Sequence, residues 1–174
     1  SIFSLGNEYM GVRGYFEEGY SGQSLIGNYF NGIYEQQNHD TPAYKGMVNI
    51  TEFMVNAVNW LYTRISVDDE TLDLNKSSFS GFRRVLNMRN GVLTRSFVWT
   101  TISGKKLKLE FERFISMSNV HIGAQKITII PLNFSGDIII TAGLDFSETH
   151  QSIETNFWNC SDIRSEDKYL SLIG

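Results

Sequence analysis

Apolar and polar residues alternate with a period of two through much of the second half of this chain. Between Lys106 and Phe111 (KLKLEF) the alternation is strict: Leu107, Leu109 and Phe111 share one parity, and Lys106, Lys108 and Glu110 the other. Successive side chains of an extended strand point to opposite faces, so this pattern predicts an antiparallel strand with one face on a core and one in water. Val92 to Thr101 (VLTRSFVWTT) is β-branched and aromatic and predicts a neighbouring strand, with Trp99 in the core. Ser103-Gly104-Lys105 predicts the hairpin turn between the two. Val120 to Ile130 reads as the next strand, closed by Pro131. Asn133 to Gly136 turns the chain, and Asp137 to Thr141 (DIIIT) reads as a more fully buried strand. The chain stops inside a last expected strand, Tyr169 to Gly174.

The first half is less regular. Val48–Phe53 and Asn56–Ser66 read as strands, Thr41–Tyr44 as loop, Val67–Glu70 as a polar turn and Ser77–Arg84 as a connector. Asn90-Gly91 is the strongest short hairpin signal in the chain. The opening residues, SIFSLGNEYMGVRGYFEEGY, place Gly6, Gly11, Gly14 and Gly19 among aromatic, apolar and charged neighbours. Glycine serves where the backbone takes positive φ or approaches another surface closely, so this stretch predicts a tightly turned ribbon around Asn7 and Arg13. Its spacing matches neither GxGxxG nor GxxxxGK[ST]. No segment shows the period of an amphipathic helix. Turn signals recur about every eight to twelve residues, as in a sandwich. The expectation is one all-β domain over residues 1–174, built as a two-sheet antiparallel sandwich and cut from, or lacking strands of, a longer polypeptide.

Composition narrows the function classes. The net charge of −4 lacks the cationic excess that phosphate contacts require, which argues against a nucleic-acid partner. No apolar run approaches the ~20 residues of a membrane helix, so no membrane partner is expected. A single cysteine, Cys160, excludes an internal disulfide and a cysteine zinc site.

Candidate chemistry is sparse. Glu17 and Glu18 are adjacent, so in a strand they would point to opposite faces and share no substrate. Asp68, Asp69 and Glu70 read as a solvated charge run. Asp145 and Glu148 follow a strand and read as loop surface. His39, His121 and His150 lack metal-ligand spacing. No GxSxG nucleophile elbow is present. Trp60, Trp99 and Trp158 could stack on sugars, and Trp158, in a polar segment, is expected to be the most exposed. Asn-x-Ser/Thr sequons begin at Asn49, Asn75, Asn133 and Asn159, where chance would give about two, and they carry little weight. The residues alone supply no catalytic set and no metal site.

Three blocks, read together, carry a resemblance. Phe3-Ser4-Leu5-Gly6-Asn7, Tyr9-Met10-Gly11-Val12-Arg13-Gly14 and Glu17-Glu18-Gly19 form the first. Arg84 to Arg95 (RVLNMRNGVLTR) is the second. Phe111 to Ser116 (FERFIS), then His121 and Ile129 to Gly136 (IIPLNFSG), is the third. In this order they resemble the amino-terminal region of glycoside hydrolase family 65, which includes the maltose, trehalose and kojibiose phosphorylases. Glu8 and Asn87 depart from the family pattern, which has Gly and Asp there.

The resemblance implies an all-β, two-sheet antiparallel supersandwich, galactose mutarotase-like. In the family it precedes an (α/α)6 barrel that carries catalysis. There a glutamic acid protonates the leaving oxygen while inorganic phosphate, the co-substrate, attacks the anomeric carbon with inversion. One protein carboxyl then suffices where hydrolysis needs two. By this resemblance the chain holds no catalytic residue and needs no cofactor. Asn7, Arg13 and Gly14 are expected to be structural or interdomain residues. The expected partners are the C-terminal barrel of the same polypeptide, a carbohydrate substrate and a second copy in a homodimer, in the cytoplasm. Two alternatives stand beside this. One is a free-standing carbohydrate-binding sandwich with a platform at Trp60 or Trp158. The other is a mutarotase-like epimerase with His121 or His150 beside a carboxylate.

Overall fold

The strict alternation builds the main sheet. In the computed structural model, which describes residues 2–38, 46, 49–149 and 155–173, β8 (Ser78–Asn87), β9 (Val92–Thr100), β10 (Lys106–Ile115) and β11 (Gly123–Pro131) pair antiparallel in the order β11-β10-β9-β8. Leu93, Phe97 and Trp99 of β9 and Leu107, Leu109 and Phe111 of β10 are all buried. Trp99 stands opposite Leu107 and Phe97 opposite Leu109, so rings and leucines mesh on one face. Ile65 and Val67 of β6 (Thr63–Val67) close over that face with Leu72 and Leu74, which follow β7 (Glu70–Thr71). β6 lies between β7 and β12 (Ile139–Ala142) in a second antiparallel sheet. The two sheets enclose one apolar layer, at roughly 1.5–3 kcal/mol per fully buried large side chain. The fold is an all-β sandwich, with no helix among the described residues and so none able to cross a membrane.

The glycine ribbon caps one end. β1 (Leu5–Gly6), β2 (Met10–Val12) and β3 (Asn28–Phe30) form a three-stranded sheet in which Gly6 faces Gly11. Met10, Val12 and Tyr15 pack on Leu61 and Ile115. Two hairpins complete the described residues: β4 (Tyr34–Asn38) with β5 (Ile50–Met54), and β13 (Asp162–Glu166) with β14 (Tyr169–Ile173).

Both predicted turns form. At Asn90-Gly91 the Gly91 amide bonds to the Asn87 carbonyl at 2.8 Å, and Gly91 takes φ +68°. At Gly104 the φ is +83° and the Thr101 amide bonds to the Lys105 carbonyl.

Several expectations fail, each for a physical reason. Ser77–Arg84 is not a connector, because most of it is β8. Pairing with β9 overrides its weak strand propensity, and a register shift between Ser80 and Arg83 takes up Gly81 at φ +63°. Asp137–Thr141 is not a buried strand, since Ile139 and Ile140 of β12 are more than half exposed. β12 pairs only with β6, so its isoleucines lack a second layer among the described residues. Asn56–Ser66 is a strand only from Thr63 onward, with Asn59 in an isolated bridge to Asp145. Val48, Thr41–Tyr44 and Gly174 lie outside the described residues.

Candidate functional site

The apolar parity of β9 and β10 is broken once in each strand, by Arg95 and by Arg113. Both side chains point inward and are buried, 3% and 1% exposed. Arg95 is registered with Phe111 and Arg113 with Leu93, so the two arginines are diagonal neighbours on the core face. Arg84 of β8 stands opposite Arg95. An unpaired buried guanidinium costs several kcal/mol, so this row demands counter-charge.

Glu17 and Glu18 supply it, from a turn closed by the Gly19 amide on the Phe16 carbonyl, with Gly19 at φ +87°. The expectation that these acids diverge is corrected here, because residues in a turn do not alternate as in a strand. Arg95 donates Nη1 to Glu18 Oε1 at 2.6 Å and Nη2 to Glu17 Oε2 at 2.8 Å, and Nη2 also reaches Glu18 Oε2. Arg113 Nη1 lies 3.1 Å from Glu17 Oε1, and its Nη2 donates to the Arg13 carbonyl. The Arg95 guanidinium sits 4.2 Å from the Phe111 ring centroid and 4.5 Å from that of Phe16, so apolar walls shield the whole cluster.

Burial alone would raise the Glu17 pKa, but Arg113 and Arg95 outweigh it and hold this carboxyl below its usual range. Burial raises that of Glu18, and Arg95 opposes it only in part. A group with a lowered folded pKa contributes stability that is present above its unfolded value and lost as pH falls through the folded one. The melting-temperature gap between the wild type and Glu17→Gln is therefore expected to narrow as pH falls below about 4.5, the unfolded value. Differential scanning fluorimetry across acid pH reads this directly. A gap independent of pH would show that the Glu17 charge contributes nothing.

The residues singled out in the ribbon are placed as follows. Asn7 donates Nδ2 to the carbonyls of Ser116 and Val120, and its Oδ1 accepts the amides of Tyr9 and Met10. It thus ties the ribbon to the loop after β10. Arg13 and Gly14 act through their carbonyls: Arg113 holds the first, and Arg84 Nη2 the second at 2.6 Å. A buried polar chain adjoins them, in which Tyr15 Oη donates to Asn59 Oδ1 and accepts from Asn28 Nδ2. Asn59 in turn donates to Glu148, whose pKa burial raises.

Other candidates are dispersed. Asp68 is exposed and pairs with Lys105, and Glu70 accepts the Ile102 amide. His121 is exposed and meets Tyr9 edge-on, while His39 and His150 lie outside the described residues. Trp99 is fully buried and Trp60 packs on Gly123. Trp158 is half-buried rather than exposed, because it stacks on Phe146 and donates Nε1 to the Asn56 carbonyl. Cys160 is exposed and free. Among the described residues no cluster of His, Cys, Asp and Glu could hold a metal.

Two openings flank the Phe16–Ser21 turn. A cleft of about 660 Å³ runs between Tyr20, Arg64, Asp73, Lys76 and Thr101. A smaller cavity of about 400 Å³ lies between Arg13, Tyr15, Phe16, Tyr20 and Arg84. The paired acids lie sealed beneath them, bound to arginines. A glycosidic general acid must reach the leaving oxygen in its protonated form. Neither Glu17 nor Glu18 meets that need; the cluster is built as a clamp between turn and sheet. Sequence reasoning missed it, although the signal was present: one arginine at the apolar parity of each of two strands, and two acids with no assigned place.

Known proteins share this fold and family. The family model described as glycosyl hydrolase family 65, N-terminal domain, matches residues 1–171. Kojibiose phosphorylase of Thermoanaerobacter brockii is 37% identical, over 83% of this chain and 17% of its own length. Maltose phosphorylase of Bacillus subtilis is 36% identical, over 81% and 18%. A solved structure of a human-microbiome protein assigned as a kojibiose phosphorylase superposes with a TM-score of 0.89 at 40% identity, covering 99% of this chain and 23% of that one. The chain thus spans about a fifth of the length of the relatives it matches. It belongs to the N-terminal domain family of glycosyl hydrolase family 65.

Proposed function

We propose that this chain is the non-catalytic N-terminal domain of a longer polypeptide that phosphorolyses an α-glucosidic disaccharide, such as maltose or kojibiose, with inversion. The observation that carries this reading is the similarity to phosphorylases across most of the chain, joined to a structure whose buried carboxylates, Glu17 and Glu18, are locked to Arg95 and Arg113. Catalysis then belongs to the remainder of the polypeptide, a C-terminal barrel. Inorganic phosphate is the co-substrate, and neither metal nor organic cofactor takes part. The sandwich supports that barrel, within a cytoplasmic homodimer. The half-burial of Trp60 and Trp158 weighs against a free-standing sugar platform.

The test is product analysis. The longer polypeptide, given maltose, kojibiose or trehalose with phosphate, is expected to release β-glucose 1-phosphate, and the 174-residue chain is expected to release none. Free glucose as the sole product would make the parent a hydrolase. Turnover by the 174-residue chain would overturn the assignment as non-catalytic.

A further inference from the structure

Among the described residues Arg84 has no acid within ion-pair distance. Arg95 and Arg113 take up the carboxylates of Glu17 and Glu18, and Arg84 adds a third positive charge beside them in a chain of net charge −4. Arg84 stands directly across from Arg95, which engages both Glu17 and Glu18. Its Nη2 is spent on the Gly14 carbonyl, while its buried Nε has no hydrogen-bond partner. Its guanidinium is held in place 4.4 Å from the Phe3 ring centroid and 5.6 Å from that of Phe16. Burial, then Arg113 and Arg95, push its pKa down to about 10, so it remains a cation at neutral pH and gains from any nearby anion.

The cavity beside it supplies a second cation. Arg13 lines the same 400 Å³ space, and its guanidinium rests against the Tyr29 ring, at 5.7 Å, and beside Gly27. Phe16 and Leu25 give the cavity apolar walls, and Tyr20, Gln23 and Ser24 give it hydroxyl and amide groups. A bare phosphate would leave most of this volume empty. A hexose phosphate fits within it, with its phosphoryl oxygens against the two guanidinium groups and its hydroxyls on the polar side chains.

We propose that this cavity binds a phosphate monoester of a monosaccharide, with Arg84 and Arg13 as its counter-ions. The choice of a sugar ester rests on the phosphorylase reading above; the recognition of a phosphoryl group rests on the arginines alone. Such a site would let the protein sense a sugar phosphate through a domain that does no chemistry on it.

The test is equilibrium dialysis of the longer polypeptide with radiolabelled glucose 1-phosphate. The wild type is expected to bind one equivalent per protomer more than Arg84→Met. Should Arg84→Met fail to fold, Arg13→Met is the second variant, because its side chain stands over Tyr29 and outside the Glu17–Glu18 cluster. It is expected to weaken the extra site about tenfold or more. Inorganic phosphate should displace the extra equivalent and glucose should not. Equal stoichiometry in wild type and folded variants would overturn the proposal. So would displacement by glucose alone, or a carboxylate from the rest of the polypeptide seated on Arg84. Product analysis is independent of this stoichiometry, so failure of the phosphorylase reading and failure of the site are distinguishable.

Discussion

Replacing Arg95 with methionine is expected to cost this domain about 3–5 kcal/mol, a large share of the stability of a typical single domain. The side chain is 3% exposed and contacts both Glu17 and Glu18. Its loss strands two carboxylates in a space walled by Phe16, Phe97 and Phe111. Arg113 reaches only Glu17, so Glu18 would have to protonate or pull the Phe16–Gly19 turn off the sheet. Urea unfolding followed by tryptophan fluorescence measures the loss. The triple variant Arg95→Met, Glu17→Gln, Glu18→Gln is expected to recover much of it, because the charges that need each other are removed together. A loss for Arg95→Met below about 1 kcal/mol, the range of exposed ion pairs, would sink the account of the cluster as a buried clamp.

Asn7→Ala is expected to cost about 2–4 kcal/mol, from four hydrogen bonds at roughly 0.5–1.5 kcal/mol each, less what water recovers at a part-buried site. Two of those bonds shape the turn between β1 and β2, and two cross to the carbonyls of Ser116 and Val120, over a hundred residues away. Amide exchange should accelerate at Tyr9 and Met10, which lose their acceptor, and in the loop after β10. This separates two roles for the residue. If Asn7 acted only at an interface with another domain, the 174-residue chain would lose no stability on its replacement. If it is the tie between ribbon and sheet, the isolated chain and the longer polypeptide would weaken alike.

Much of the fold was legible in the sequence because period-two patterning is local. Lys106–Phe111 declared its faces residue by residue, and Asn90-Gly91 and Gly104 declared their turns through the positive φ that glycine tolerates. Where local signals failed, pairing or layering decided. Ser78–Asn87 is a strand because β9 lies beside it, and Ile139 and Ile140 are exposed because β12, among the described residues, borders only β6. No run of residues encodes its neighbour.

The site divides the same way. The sequence by itself determined an all-β chain, the family blocks that include the ribbon, Arg84–Arg95 and Phe111–Ser116, and the lack of a recognisable catalytic set. Only the tertiary structure decided what Glu17 and Glu18 do. Their partners stand 77 and more residues away on β9 and β10, and the turn that aims both acids at one guanidinium exists only once the ribbon has docked. The same docking sets Arg84 on the Gly14 carbonyl at the edge of a cavity. Charge balance in a protein interior is a property of three-dimensional neighbours, because an ion buried away from water must find its counter-ion within a few ångströms of space rather than of sequence.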